Sequence, residues 1–154
     1  MVDLIRELAL KLREQVLPHL GSHAGRAHED SAVGGDVTFA IDAEAERTLE
    51  SFLAERAPEL AFYSEDRGLV APSNGASKVL VVDPIDGTRP ALAGLEACCV
   101  SIAAAPLRDG VTMGEVEIGC VVEIPTGVVF LAERGAGLVE SPPGGAPTPM
   151  HLRA

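Results

Sequence analysis

The run Val79-Leu80-Val81-Val82 is apolar throughout and stops abruptly at Asp83-Pro84-Ile85-Asp86-Gly87-Thr88. Successive side chains of a strand point to opposite faces, so an unbroken apolar run suits a strand buried on both sides. Cys98 to Ala105 reads the same way. Strands of this kind need a sheet with material packed on each face. Ahead of them stand two helical patterns. Leu4, Ile5, Leu8, Leu12, Val16 and Leu20 recur at helical spacing from Asp3 to about Leu20, and Gly21 ends the pattern. Ala45, Leu49, Phe52 and Leu53 mark a second helix from about Ala43 to Arg56, with Pro58 beyond its end. Two helices can cover one face of a sheet. The other face is expected to be covered from outside this chain.

Short strands are expected at Val37 to Ile41 and Leu60 to Tyr63, with a loop from Gly68 to Lys78. Met113 to Ile124 and Gly127 to Glu133 read as an antiparallel hairpin closed by Pro125-Thr126-Gly127. Gly135-Ala136-Gly137 breaks a following strand, and Ser141 to Pro149 reads as a Pro/Gly-rich linker or surface loop. Helices followed by a run of strands define an α+β chain rather than alternating βαβ units.

Composition narrows the function classes. At 154 residues and 47% hydrophobic, the chain suits one globular domain. Aromatics are only 3%, which leaves no stacking platform for single-stranded nucleic acid. The net charge of −11 repels nucleic acid and anionic membranes, so neither is an expected partner. Cys98, Cys99 and Cys120 lie in apolar runs without metal-ligand spacing, and read as buried free thiols of a cytoplasmic protein. The charged N-terminus does not read as a secretory signal, and no apolar run approaches the ~20 residues of a membrane span.

Three acidic positions fall at strand ends: Asp42, Glu65 with Asp66, and Asp83 with Asp86. Pro84 fixes its own φ and Gly87 is free of the Cβ restriction, so the chain is expected to turn sharply between the paired aspartates. Such a turn can aim both carboxylates and a backbone carbonyl at one hard cation of the Mg²⁺ type. The Gly87 and Thr88 N–H groups could hold an anion. Carboxylates gathered at one place raise each other's pKa unless cations neutralise them. Two metal ions about 4 Å apart can clamp a phosphate and activate a water for in-line attack. Each piece also has a plainer reading: Asp42 as a helix cap, Glu65-Asp66-Arg67 as a solvated turn, and Arg89 as a surface side chain.

The series Asp36-Val37-Thr38-Phe39-Ala40-Ile41-Asp42, Ser64-Glu65-Asp66 and Asp83-Pro84-Ile85-Asp86-Gly87-Thr88 resembles the motifs of the inositol monophosphatase family of lithium-sensitive, Mg²⁺-dependent phosphatases. The resemblance runs from the first helix to about Leu138. It implies a layered sandwich whose N-terminal half has two helices on a mostly antiparallel sheet. It implies metal ligation by Glu65, Asp83, the carbonyl of Ile85 and Asp86, with Mg²⁺ or Mn²⁺ as the cofactor. Asp42 and Thr88 would pair to activate the nucleophilic water, beside Glu65, while Gly87 and Thr88 would hold phosphate. Arg89 is a candidate for a second anionic group of the substrate.

The chain also departs from the family pattern. It has no Trp and so no Trp-Asp motif of a second half, Ser64 replaces the usual Gly of Gly-Glu-Glu, Arg89-Pro90-Ala91 follows the hexapeptide, and Ala32 stands nearest the family's loop lysine. The expected organisation is therefore a metal-binding phosphatase-like unit over 1–140 and a tail or linker over 141–154 towards a C-terminal half. The expected function is a phosphomonoesterase, or its N-terminal half, hydrolysing a small phosphorylated metabolite such as inositol monophosphate. The alternative is a catalytically inactive metal-binding module that associates with a partner or its own C-terminal half. Either way a homodimer or a pairing of halves is expected.

Overall fold

The computed structural model describes residues 1–22, 28–31 and 37–150. His23, Ala32, Asp36 and residues 151–154 of the expected tail lie outside the described residues. Helix α1 spans Val2–Val16 and runs on into a short 3₁₀ turn, Leu17–His19. Its stripe of Ile5, Leu8, Ala9, Leu12 and Val16 is buried to within 1% exposure, because these residues share one side at helical spacing. Strands β1 (His28–Ser31) and β2 (Val37–Phe39) form a separate antiparallel pair. Helix α2 spans Ala40–Arg56 and buries Ile41, Ala45, Leu49, Phe52 and Leu53. It starts three residues earlier than its apolar stripe suggests, so Asp42 sits inside the first turn rather than at the cap.

The main sheet contains β3 (Ala61–Ser64), β4 (Gly68–Val70), β5 (Lys78–Asp86), β6 (Cys99–Pro106), β7 (Ile118–Glu123), β8 (Val129–Glu133), β9 (Gly137–Ser141) and β10 (Thr148–Met150). Its order is β10-β9-β8-β7-β6-β5-β3-β4, antiparallel throughout except for the parallel pair β3–β5. This is the expected α+β arrangement of two helices on a mostly antiparallel sheet. The β7–β8 hairpin turns at Gly127, whose φ of 76° and contact with the Arg13 guanidinium leave no room for a Cβ.

Three expectations need correction. The loop expected from Gly68 contains the edge strand β4. Within the expected tail, the turn at Pro142 to Gly145 sends Thr148–Met150 back to pair with β9 as a further edge strand. Strand β5 does not end before Asp83 but continues to Asp86, with a break in register between Asp83 and Asp86. The aspartates are thus separated by a bulge, which bends a strand without ending its pairing.

The two faces of the sheet differ. Towards the helices, Leu80, Val82, Val100, Ile102, Ala104, Cys120 and Val122 are all at most 2% exposed and join the helix stripes in one core. On the far face, register aligns Leu69, Tyr63, Val81, Ala103, Gly119 and Ala132 in one row across β4, β3, β5, β6, β7 and β8. This row carries no charge, yet Leu69 is 55%, Tyr63 47% and Val81 46% exposed. At one end of that face Ala61, Val79 and Ala105 pack with Ala76 and Leu107.

Candidate active site

The N-terminus of α2 and the C-terminal ends of β3 and β5 open onto a cleft of about 320 Å³. Parallel pairing of β3 with β5 places their carboxyl ends on the same side, which is what brings Glu65 and Asp83 together. The cleft is lined by Asp42, Glu46, Glu65, Asp66, Asp83 and Asp86, together with Ile85, Gly87, Thr88 and Arg89. Every site residue expected from sequence therefore faces one opening.

Local hydrogen bonds fix the arrangement. Asp42 accepts from the Phe39 N–H through Oδ2 at 3.1 Å and from the Thr88 hydroxyl through Oδ1 at 2.9 Å. The capping role and the cleft role of Asp42 thus coexist on its two oxygens. The Thr88 Oγ1 also lies 3.1 Å from the Ile85 carbonyl. One hydroxyl carries one proton, and the shorter, charge-assisted bond to Asp42 is the stronger. Asp83 accepts from the Ile85 N–H at 3.1 Å, which folds the bulge. The chain then turns at Gly87 (φ 95°) into the short helix α3, Thr88–Leu92. A Cβ on Gly87 would lie 2.6 Å from the Ala97 carbonyl oxygen, so only glycine fits there.

Crowded carboxylates shift one another. Burial, then the charge of Asp86, pushes Asp83 up to about 6. Asp42 is raised by burial, against the opposing hydrogen bonds from Phe39 and Thr88. Beside them, burial and the charges of Asp86 and Asp83 hold the Cys99 thiol up at about 11. All three cysteines are free thiols.

One cleft residue, Glu46, was not anticipated. It is only 3% exposed, and burial pushes its pKa up to about 7 against hydrogen bonding from Ser64. Its signal lay in helical spacing: Asp42, Glu46, Leu49 and Leu53 follow one another at four, three and four residues, so Glu46 stands on the buried stripe.

Among the described residues, no three metal-binding side chains converge into a ready-made coordination shell. The donor set nevertheless suits a hard cation. It offers carboxylate and carbonyl oxygens, and Glu46, a lining residue, has a buried oxygen without a hydrogen-bond partner among the described residues.

A sequence profile of the inositol monophosphatase family matches residues 1–148. Inositol monophosphatase 2 of Saccharomyces cerevisiae is 30% identical over 132 residues, covering 82% of this chain and 42% of the yeast protein. Inositol-1-monophosphatase of Mycobacterium leprae is 33% identical over 121 residues, covering 77% of this chain and 40% of its own length. Among solved structures, the IMPase of Thermotoga maritima aligns with a TM-score of 0.67 at 25% identity, over 90% of this chain and 50% of that one. The fold is an α+β arrangement of two helices on a mixed sheet, with its acidic cleft at the strand ends. The chain belongs to the inositol monophosphatase family, and it spans about half the length of the relatives it matches.

Proposed function

We propose that this chain is the N-terminal, metal-binding half of a Mg²⁺-dependent phosphomonoesterase acting on a small phosphorylated metabolite. Inositol monophosphate is the first candidate, by likeness to relatives bearing that name. The observation that carries the reading is the Thr88–Asp42 hydrogen bond beside Asp83, the Ile85 carbonyl and Glu65 in one cleft. In this reading Glu65, Asp83, the Ile85 carbonyl and Asp86 hold the cation, with Mn²⁺ able to replace Mg²⁺. A bound cation would neutralise these carboxylates, polarise the phosphoryl oxygens and lower the pKa of water. Asp42, already paired with Thr88, orients that hydroxyl to align an attacking water; the hydroxyl takes the water's proton as its own passes to the Asp42 carboxylate. Gly87 and Thr88 turn the backbone towards the phosphate, and Arg89 at the rim faces a second anionic group of the substrate. The three free thiols agree with a cytoplasmic setting. Phosphate release from inositol monophosphate, with and without Mg²⁺, tests the reading on this chain.

A second reading is supported by the exposed apolar row on the far face of the sheet. On this reading the chain binds metal but turns over substrate only when paired with a C-terminal half or a second copy. Release by the chain alone would sink the second reading. Release only after adding the second half of a longer relative would favour it.

A further inference from the structure

The Glu46 carboxyl is the least expected group in the cleft. A buried, charged side chain on the core stripe of a helix needs partners, and one left without them is costly. Two neighbours steady the Glu46 charge: the hydroxyl of Ser64, a residue only 1% exposed, and the positive charge of Arg67. Ser64 in turn accepts from the Arg67 N–H at 3.3 Å, closing the turn that carries Glu65 and Asp66. That turn is tied to the same helix again by Arg67, which lies 3.1 Å from Glu50, one turn beyond Glu46. Glu46 lines the cleft, and its Oε2 is buried with no hydrogen-bond partner among the described residues.

Resting on the functional reading above, we propose that Glu46 is a positioning residue of the cation site: one edge of its carboxylate holds the Ser64–Arg67 turn, and Oε2 accepts a hydrogen bond from a cation-bound water. This assigns a task to both unusual residues of the region. Ser64 stands where the family pattern has glycine, and its hydroxyl links the α2 carboxylate to the turn. The orphaned oxygen is satisfied only when the cleft is occupied. Groups that orient metal ligands or bound water from behind typically change metal affinity 10–100-fold when removed.

The test compares the wild-type chain with Glu46→Gln, Glu46→Leu and Ser64→Ala, using Glu55→Gln as a control for lost negative charge. Mn²⁺ affinity is read by electron paramagnetic resonance, the Arg67 amide by hydrogen exchange in the metal-free chain, and folding by thermal melting. The proposal expects Mn²⁺ binding weakened about 10–100-fold in both Glu46 variants. It also expects faster Arg67 exchange in Glu46→Leu and Ser64→Ala, and melting no lower than wild type in Glu46→Leu. A role in stability alone would lower melting and leave affinity untouched. Affinities within about twofold of wild type, against that expected range, would overturn the proposal. If the wild-type chain binds no Mn²⁺, the functional reading fails and the water-binding part of the proposal fails with it. Arg67 exchange then still decides whether Glu46 holds the turn.

Discussion

The Thr88 hydroxyl donates to the Asp42 carboxylate across 2.9 Å, joining residues 46 positions apart in the chain. In the complete enzyme, Thr88→Ala should lower turnover by about 10²–10⁴-fold, the usual worth of general-base assistance. Metal affinity should change little, because the hydroxyl orients rather than ligates. Thr88→Ser should keep most of the activity. A Thr88→Ala enzyme within about threefold of wild type would rule out the assigned role, since that lies far below the range for proton-transfer catalysis.

Asp83→Asn should abolish most Mg²⁺ binding. With the Asp83 carboxyl raised to about 6, protons compete with the cation at mildly acidic pH. Wild-type affinity should therefore climb as pH rises from about 5 to about 7 and level off above, as expected when ligands must deprotonate. Calorimetry across that range checks both points. Equal, negligible heats for wild type and Asp83→Asn would defeat the metal assignment.

Glu46 gives the metal-free chain an inverted pH response. Its folded pKa, about 7, lies above the ordinary value of 4.5, so the folded state binds the proton more tightly than the unfolded state. The associated stability is fully present below about 4.5 and is lost as pH rises to about 7, on the order of 1–3 kcal/mol. Urea melts of the wild-type chain should therefore shift to lower midpoints over that window. Glu46→Gln should remove part of this fall, the rest coming from Asp83 and Asp42, which burial also raises. A wild-type midpoint that rises steadily from pH 5 to pH 7.5 would contradict the burial of Glu46.

Gly87→Ala should destabilise the fold. Its φ of 95° is strained for any side chain, and the added Cβ would press on the Ala97 carbonyl oxygen. A cost of about 1–3 kcal/mol follows from the strained conformation alone. Thermal melting should show it, and Mg²⁺ binding should weaken in parallel, because the turn positions Thr88 and Asp86. An unchanged melting temperature would mean that the turn is not held as described.

The far face of the sheet should make the isolated chain associate. Its uncharged row spans six strands and leaves Tyr63, Val81 and Leu69 about half exposed. Apolar patches beyond a few hundred Å² usually mark an interface or an aggregation hazard. Light scattering should show species larger than a monomer, or strong binding of a hydrophobic dye. Tyr63→Lys with Val81→Lys should suppress both. A dye-silent monomer over a wide concentration range would refute the expectation.

Much of the site was legible because Asp42, Glu65, Asp83 and Asp86 each stand where an apolar run stops, and strand ends on one edge converge. The fold class followed from two helical stripes ahead of a series of strands. The exact path of β5 was not legible. Pro84 and Gly87 signal a break, but whether a strand turns or bulges depends on the partner, and β6 keeps pairing with it as far as Asp86. The three-residue strands β4 and β10 are too short to carry a pattern and exist only through their neighbours. Glu46 escaped notice because a glutamate within a helix is ordinarily solvated. Only its spacing from Asp42 and Leu49, together with the β3 end packed over it, makes it an interior group.

The described residues that line the acidic cleft all lie between Phe39 and Pro90, in one unbroken stretch of chain. Domains emerge N-terminal end first during synthesis, at about 5–20 residues per second. The full set of carboxylates is thus synthesised before β6, the partner that holds β5 in the sheet. For that interval the nascent chain carries a dense negative charge with no finished sheet behind it.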